Sequence, residues 1–168
     1  MSEPIPDTGL LLDRLESGLR AEMAQRGLTD VAMIGIHTGG AWVAERLHQR
    51  LGLKEPPGFL DISFYRDDFS RIGMNPQVKP SRLPFSVEGR NILLIDDVFY
   101  SGRTIRAALN VIFDYGRPAQ VLLGVLLERN GRQIPVRPDV SGGATLLEPG
   151  RRIKLTGPEP LAFSVHTV

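Results

Sequence analysis

The chain has no cysteine among its 168 residues. This excludes disulfides, thiolate metal sites and cysteine nucleophiles. Its three histidines, His37, His48 and His166, are scattered, so no metal-ligand cluster is written into their spacing. The formal net charge is only +1, which removes any bulk electrostatic argument for nucleic acid or membrane as a partner. No window approaches the roughly 18 continuous apolar residues of a membrane helix. Met1-Ser2-Glu3-Pro4 shows no basic or apolar signal-peptide region. There are no repeats and no low-complexity tracts. The expectation is a soluble cytoplasmic protein. What is present is ordinary: 42% hydrophobic and 23% charged residues, as in a globular domain. At this length one domain is expected, burying about two thirds of the unfolded chain's surface.

The apolar pattern alternates between two periods. Leu12, Leu15, Leu19 and Met23 form a helical stripe, with Gly27 placed as its C-cap. Val31 to Ile36 reads as a short apolar strand, followed by the polar glycine turn His37-Thr38-Gly39-Gly40. A second helix turns Val43, Ala44, Leu47 and Leu51 inward, and Pro56-Pro57-Gly58 ends it. Leu60, Ile62 and Phe64 alternate with polar neighbours as a half-buried strand. Residues 66–84 keep no sustained pattern, and a loop of that length in a compact domain is usually functional or disordered. Strands are expected at 91–95 and 120–127, with a helix between them that ends near Tyr115. After Arg129 the alternation stops. The proline- and glycine-rich tail contains β-prone pieces at Ile134–Val136, Ile153–Leu155 and Leu161–Val165. Alternating strands and helices imply an α/β fold with a parallel sheet. The tail, residues 129–168, is expected to form a small hood over the sheet's carboxyl edge.

The stretch Ile92–Thr104 carries the chemistry. Four apolar residues run into adjacent carboxylates, Asp96 and Asp97, then Val98, Phe99 and Tyr100, then Ser101-Gly102-Arg103-Thr104. This reads as a buried parallel strand reaching its carboxyl end, the edge where open α/β sheets bind ligands. Ile105, Ala108, Leu109 and Ile112 then follow helical spacing. Ser101 to Thr104 therefore lies at a helix N-terminus, where backbone N–H groups and the helix dipole favour a phosphate. Ser101 and Thr104 add hydroxyl donors, and Gly102 permits a positive φ. Like charges repel, so the two carboxylates suit vicinal hydroxyls or the water shell of Mg²⁺ instead. A ribose 5-phosphate has both features. The plainer alternative is a strand-to-helix turn capped by Ser101 or Thr104, with two solvated aspartates. The turn at His37–Gly40 repeats the logic of strand, glycine turn and helix start. Two such cradles suit a ligand phosphorylated at both ends.

The stretch from Ile92 to Thr104 resembles the 5-phosphoribosyl 1-pyrophosphate (PRPP) loop of type I phosphoribosyltransferases. Gly35–Gly40, Asp61–Asp68, Asp96–Thr104, Tyr115-Gly116-Arg117-Pro118-Ala119 and Arg137-Pro138-Asp139, in this order and spacing, closely resemble the PyrR family. Members of that family are pyrimidine operon attenuation proteins that are also uracil phosphoribosyltransferases. The resemblance covers roughly residues 10 to 140. It implies the type I phosphoribosyltransferase fold and conversion of uracil and PRPP into UMP and pyrophosphate with Mg²⁺. It also implies a homo-oligomer, dimer or tetramer, and the leader mRNA of pyrimidine genes as a further partner.

The resemblance also implies residue roles. Asp96 and Asp97 would hold the ribose hydroxyls and hydrated Mg²⁺. Val98, Tyr100, Ser101, Gly102, Arg103 and Thr104 would complete the PRPP and UMP site. His37, Thr38, Gly39 and Gly40 would bind pyrophosphate, with a non-proline cis peptide in that loop. Residues 66–84 would be a mobile lid, with Arg66 facing pyrophosphate as a third catalytic group. Arg137, Asp139 and Val140 would cover uracil.

Four departures stand out. Members usually show Thr-Arg-Gly where this chain has Thr38-Gly39-Gly40. They often have an aromatic where Val140 stands. RNA-binding members carry a basic, histidine-containing first helix where this chain has Leu15, Glu16 and Leu19. They also show His-Arg after Arg-Gly, leaving Arg132 and Arg137 here as RNA contacts. Two alternatives to the uracil enzyme stay open: a non-enzymatic RNA-binding sensor of UMP or PRPP, and a transferase for another base.

Overall fold

The computed structural model describes residues 5–62 and 81–167. Helix α1 (Thr8–Arg26) starts where the Asp7 carboxylate accepts the Gly9 N–H at 3.0 Å. It stops at Gly27, whose left-handed conformation (φ 64°) sends its N–H back to the Ala24 carbonyl. Leu11, Leu12, Leu15 and Leu19 are buried along its inner face. Each fully buried leucine contributes about 1.5–3 kcal/mol relative to exposure. Strand β1 (Val31–Ile36) leads into helix α2 (Gly39–Leu51), which buries Val43, Ala44 and Leu47. Strands β2 (Gly58–Leu60) and β3 (Asn91–Phe99) follow, then helix α3 (Arg103–Tyr115) and strand β4 (Gln120–Arg129).

The sheet runs β2-β1-β3-β4-β5, where β5 is Val140–Ser141 and a further short strand, β6 (Ala144–Thr145), also pairs with β4. All of these pairings are parallel. The near-continuous burial of β1, β3 and β4 matches a sheet covered on both faces. One core joins α1 and α2 to the sheet through Leu15, Leu47, Leu93 and Leu126. A second joins the opposite face to α3 through Ile34, Leu94, Ile105 and Ile112. At the sheet's amino end Arg90 bonds Glu55 at 2.5 Å and holds that carboxyl below its ordinary range.

Strand β3 runs on past the expected end at residue 95 and contains Asp96 and Asp97. The reason is β4, which stays paired with it as far as Phe99↔Glu128. The register of β1 against β3 ends at Gly35↔Ile95. The carboxylates therefore protrude beyond one neighbour while remaining anchored to the other.

The tail departs from its expected pieces at one place. Ile134–Val136 is not a strand, and Val136 donates to the Ile134 carbonyl instead. Pro135 between them lacks the N–H that a ladder would need. The other two pieces form one antiparallel hairpin, β7 (Arg151–Thr156) with β8 (Ala162–Thr167). Leu155 and Leu161 join the α1–α2 core, and Trp42, Ile153 and Phe163 pack against it.

Most of the expected lid, and Arg66 with it, lies outside the described residues. Its last residues are placed. Arg82 exchanges two backbone hydrogen bonds with Phe59, so the segment rejoins the sheet beside β2. Among the described residues no helix is long and apolar enough to cross a membrane.

Candidate functional site

Three elements meet at the carboxyl end of the sheet. The first follows β1. Its His37–Thr38 peptide bond is cis, and His37 and Thr38 are exposed. Gly39 and Gly40 then start α2 directly against the end of β3. A side-chain carbon at Gly39 would run into the Asp97 carboxylate, lying 2.7 Å from its Cγ. One at Gly40 would meet Asp96 Oδ1 at 2.8 Å and the Ile95 carbonyl at 3.0 Å. In this chain the missing side chains leave room for this approach, so the loop backbone sits on the carboxylates.

The second element is the end of β3. Asp96 is 5% exposed, and its Oδ1 accepts the Asp97 N–H at 2.8 Å. Asp97 is half-buried, and its Oδ1 accepts the Val98 N–H at 2.8 Å. In each case one carboxylate oxygen is fixed by the following amide. The following backbone amide thus helps to orient each of the two neighbouring acids.

The third element is the turn into α3. Gly102 is buried at φ 97°, as its sequence position requires. The Ser101 hydroxyl accepts the Arg103 N–H at 3.2 Å. Arg103 is exposed and donates to the Gln133 side chain at 3.0 Å. Thr104 lies in the first helical turn, half-buried. Tyr100 is exposed beneath the Arg129 guanidinium, 4.1 Å from its ring centroid.

A cleft of about 900 Å³ joins these elements. His37, Thr38 and Gly39 line it together with Asp96, Asp97, Val98 and Thr104. Of the residues singled out from the sequence, these seven share one space. Tyr100, Ser101 and Arg103 stand beside it on the same turn, and Gly40 lies beneath the loop. Arg137, Asp139 and Val140 lie elsewhere, at the β4–β5 edge. There the Asp139 carboxylate accepts the Leu123 N–H at 2.8 Å and pairs with Arg26 at 3.0 Å. Val140 packs against Gly18 of α1. Arg132 and Arg137 are both exposed.

The cleft also has walls that motif reading missed. Trp42 of α2 and Arg152, Lys154, His166 and Thr167 of the hairpin line it. The signal was available as the alternation Arg152-Ile153-Lys154-Leu155, a half-buried strand with a basic outer row. Nothing local said that this row would fold over the first loop.

The description "Phosphoribosyl transferase domain" fits residues 5–161. The chain is 56% identical over 159 residues to the "Bifunctional protein PyrR" of Pseudomonas paraeruginosa, covering 95% of this chain and 94% of that protein. It is 56% identical over 160 residues to the protein of the same name from Nitrosococcus oceani, covering 94% and 90%. Among solved structures, a hypoxanthine-guanine phosphoribosyltransferase from Bacillus anthracis superposes with a TM-score of 0.66 at 16% identity, over 89% of this chain and 85% of that one. A hypoxanthine phosphoribosyltransferase from Staphylococcus aureus gives 0.65 at 18% identity, over 84% and 77%. These two share its fold.

Proposed function

From the fact that this chain belongs to the phosphoribosyl transferase family, and within it to the PyrR proteins, we propose that it converts uracil and PRPP into UMP and pyrophosphate. One observation carries this reading. The Asp96–Asp97 pair, Thr104 and the His37–Gly39 loop face a single cleft, which suits a ribose bearing anions at both ends.

In this reading Thr104 and the α3 N-terminus bind the 5-phosphate, and Asp96 and Asp97 accept the ribose hydroxyls. The bond from C1′ to the pyrophosphate oxygen breaks and the bond from C1′ to uracil N1 forms. The N1 proton is released. Positive charge grows on the ribose ring while pyrophosphate departs with its electron pair. Oriented carboxylates beside the ring stabilise the first charge, and loop amides stabilise the second.

The family also implies Mg²⁺. Among the described residues no group of three His, Asp or Glu side chains gathers to hold a metal. Two carboxylates fit a hard cation that keeps several waters and shares its remaining ligands with substrate oxygens. Asp96 and Asp97 would hold it, and it would neutralise substrate charge. The substrate of this reading is a phosphorylated metabolite, which assigns the protein to the cytoplasm. Turnover with PRPP and uracil, set against hypoxanthine and orotate, tests the reading. UMP formation is the expected outcome, and exclusive use of another base would move the assignment to that base.

Thr104→Val removes a hydroxyl donor at nearly constant volume. A lost hydrogen bond to a charged partner costs about 1.5–3 kcal/mol. Calorimetric titration should therefore show PRPP binding weakened by one to two orders of magnitude. Unchanged affinity would place the 5-phosphate elsewhere.

The relatives are named bifunctional, and the family resemblance makes regulation the second activity, with RNA as its expected ligand. The first helix offers it little. Leu15 and Leu19 are fully buried, and Glu16 pairs with Arg20 and Arg50. Arg132 and Arg137 are too few for a phosphate-gripping surface. RNA binding by this chain is expected at about 10⁻⁶ M or weaker at physiological salt, with little response to UMP. A nanomolar, UMP-enhanced affinity for a pyrimidine-operon leader, measured across salt concentrations, would overturn this.

A further inference from the structure

The first loop poses a charge problem. It faces the leaving pyrophosphate in the reading above, yet Thr38, Gly39 and Gly40 supply no cation. Directly beneath it lie two carboxylates, which repel a polyanion. Among the described residues of this loop only backbone amides and the His37 ring face the leaving group, and a bound Mg²⁺ would offset only part of its charge.

The tail hairpin holds two cations against the same space. Arg152 and Lys154 are the Arg and Lys residues among those lining the cleft. Along β7 the inward positions are Ile153 and Leu155, packed on the Trp42 side, while Arg152, Lys154 and Thr156 occupy the exposed row. Neither Arg152 nor Lys154 forms an ion pair among the described residues. Other exposed arginines of the chain do, as Arg20 does with Glu16 and Arg50 with Asp13.

The hairpin is also clamped at both ends. At its turn, Arg46 of α2 donates to the Pro158 carbonyl at 2.7 Å, and Thr8 donates to the Leu161 carbonyl at 2.8 Å. Gly157 sits so close to Trp42 that an added carbon there would lie 3.0 Å from the indole. At its start, Arg129 of β4 donates to the Arg151 carbonyl at 3.1 Å. The strand between these clamps is held across the sheet's carboxyl end from β4 to α2. The turn beside Trp42 places its far end next to the α2 start, and thus next to the loop that lacks charge.

We infer that Arg152 and Lys154 bind the pyrophosphate group, supplying from the tail hairpin the positive charge that the Thr38–Gly40 loop does not carry. The inference rests on the phosphoribosyl transfer reading and adds a subsite to it. Two flexible cations on a clamped strand counter the charge of pyrophosphate as it leaves, and they do so without touching the 5-phosphate cradle at Thr104.

Calorimetric titration with inorganic pyrophosphate and, separately, with UMP, both with Mg²⁺, tests it. UMP carries the 5-phosphate, ribose and base but no pyrophosphate. In the Arg152→Met, Lys154→Met double variant, pyrophosphate affinity should fall at least ~10-fold, the scale of losing one charge-assisted hydrogen bond. UMP affinity should stay at the wild-type value. Lys154→Arg, which keeps the charge, should retain most pyrophosphate binding. If the double variant melts early, the single variants Arg152→Gln and Lys154→Gln give the same comparison. Unchanged pyrophosphate binding in folded variants would overturn the inference and leave the transferase reading standing. A parallel loss of UMP binding would also overturn it, by placing the hairpin over the base or the 5-phosphate. Wild-type protein that binds neither ligand would remove the transferase reading itself, and this subsite with it.

Discussion

Replacing Asp97 by asparagine is expected to lower uracil phosphoribosyl transfer at least ~10²-fold, the scale of removing one preorganised electrostatic group, while leaving the fold intact. Asp97 lies at the end of β3, half-buried, beyond the last register pair with β1. One of its oxygens is occupied by the Val98 amide, and the other faces Gly39 and the cleft. An asparagine keeps the shape and can still accept the Val98 N–H. It loses the negative charge that answers a cationic ribose and a hydrated Mg²⁺. Melting temperature should therefore barely move while kcat collapses. Near-wild-type turnover in this variant would sink the assignment of the β3 carboxylates.

Gly39→Ala is expected to have an effect of similar size for a different reason. The added methyl carbon would collide with the Asp97 carboxylate, 2.7 Å from its Cγ. The aspartate is short, so it escapes only by rotating away from its bond to Val98 or by pushing α2 outward. Misplacing a reacting group by about 1 Å costs on the order of 10²-fold in rate. The site is at the surface end of the loop, so stability should change much less than kcat/KM for PRPP. A steady-state comparison with a thermal melt separates the two quantities. An alanine variant with wild-type kcat/KM would show that the loop does not rest on Asp97 during turnover.

Much of this site was legible before any coordinates. The run Ile92–Ile95 with its two acids and the Ser101–Thr104 turn specify a strand, a ligand edge and a helix start by local rules alone. The positive φ at Gly102 and the left-handed cap at Gly27 were equally readable, because glycine is the residue that takes those conformations without strain. The Leu12, Leu15, Leu19 stripe named its own buried face, since helical periodicity is a property of the sequence. What was misread fails for an identifiable reason. Ile134–Val136 has β-prone side chains, but its central proline lacks a donor.

Local pattern by itself determined the α/β alternation, the two glycine turns and the acid pair. These depend on neighbours within a few residues, where backbone preference and periodicity act. The tertiary structure alone decided which chain segments share the cleft. The β3–β4 pairing carried the carboxylates past the end of β1. The absence of a Cβ at Gly39 let the first loop settle on Asp97. Burial of Leu155 and Leu161 in the core, with Trp42 packed beside them, drew residues more than a hundred positions from the loop across its open side. Such placement depends on surfaces that must be buried together, and no stretch of sequence carries that information within itself.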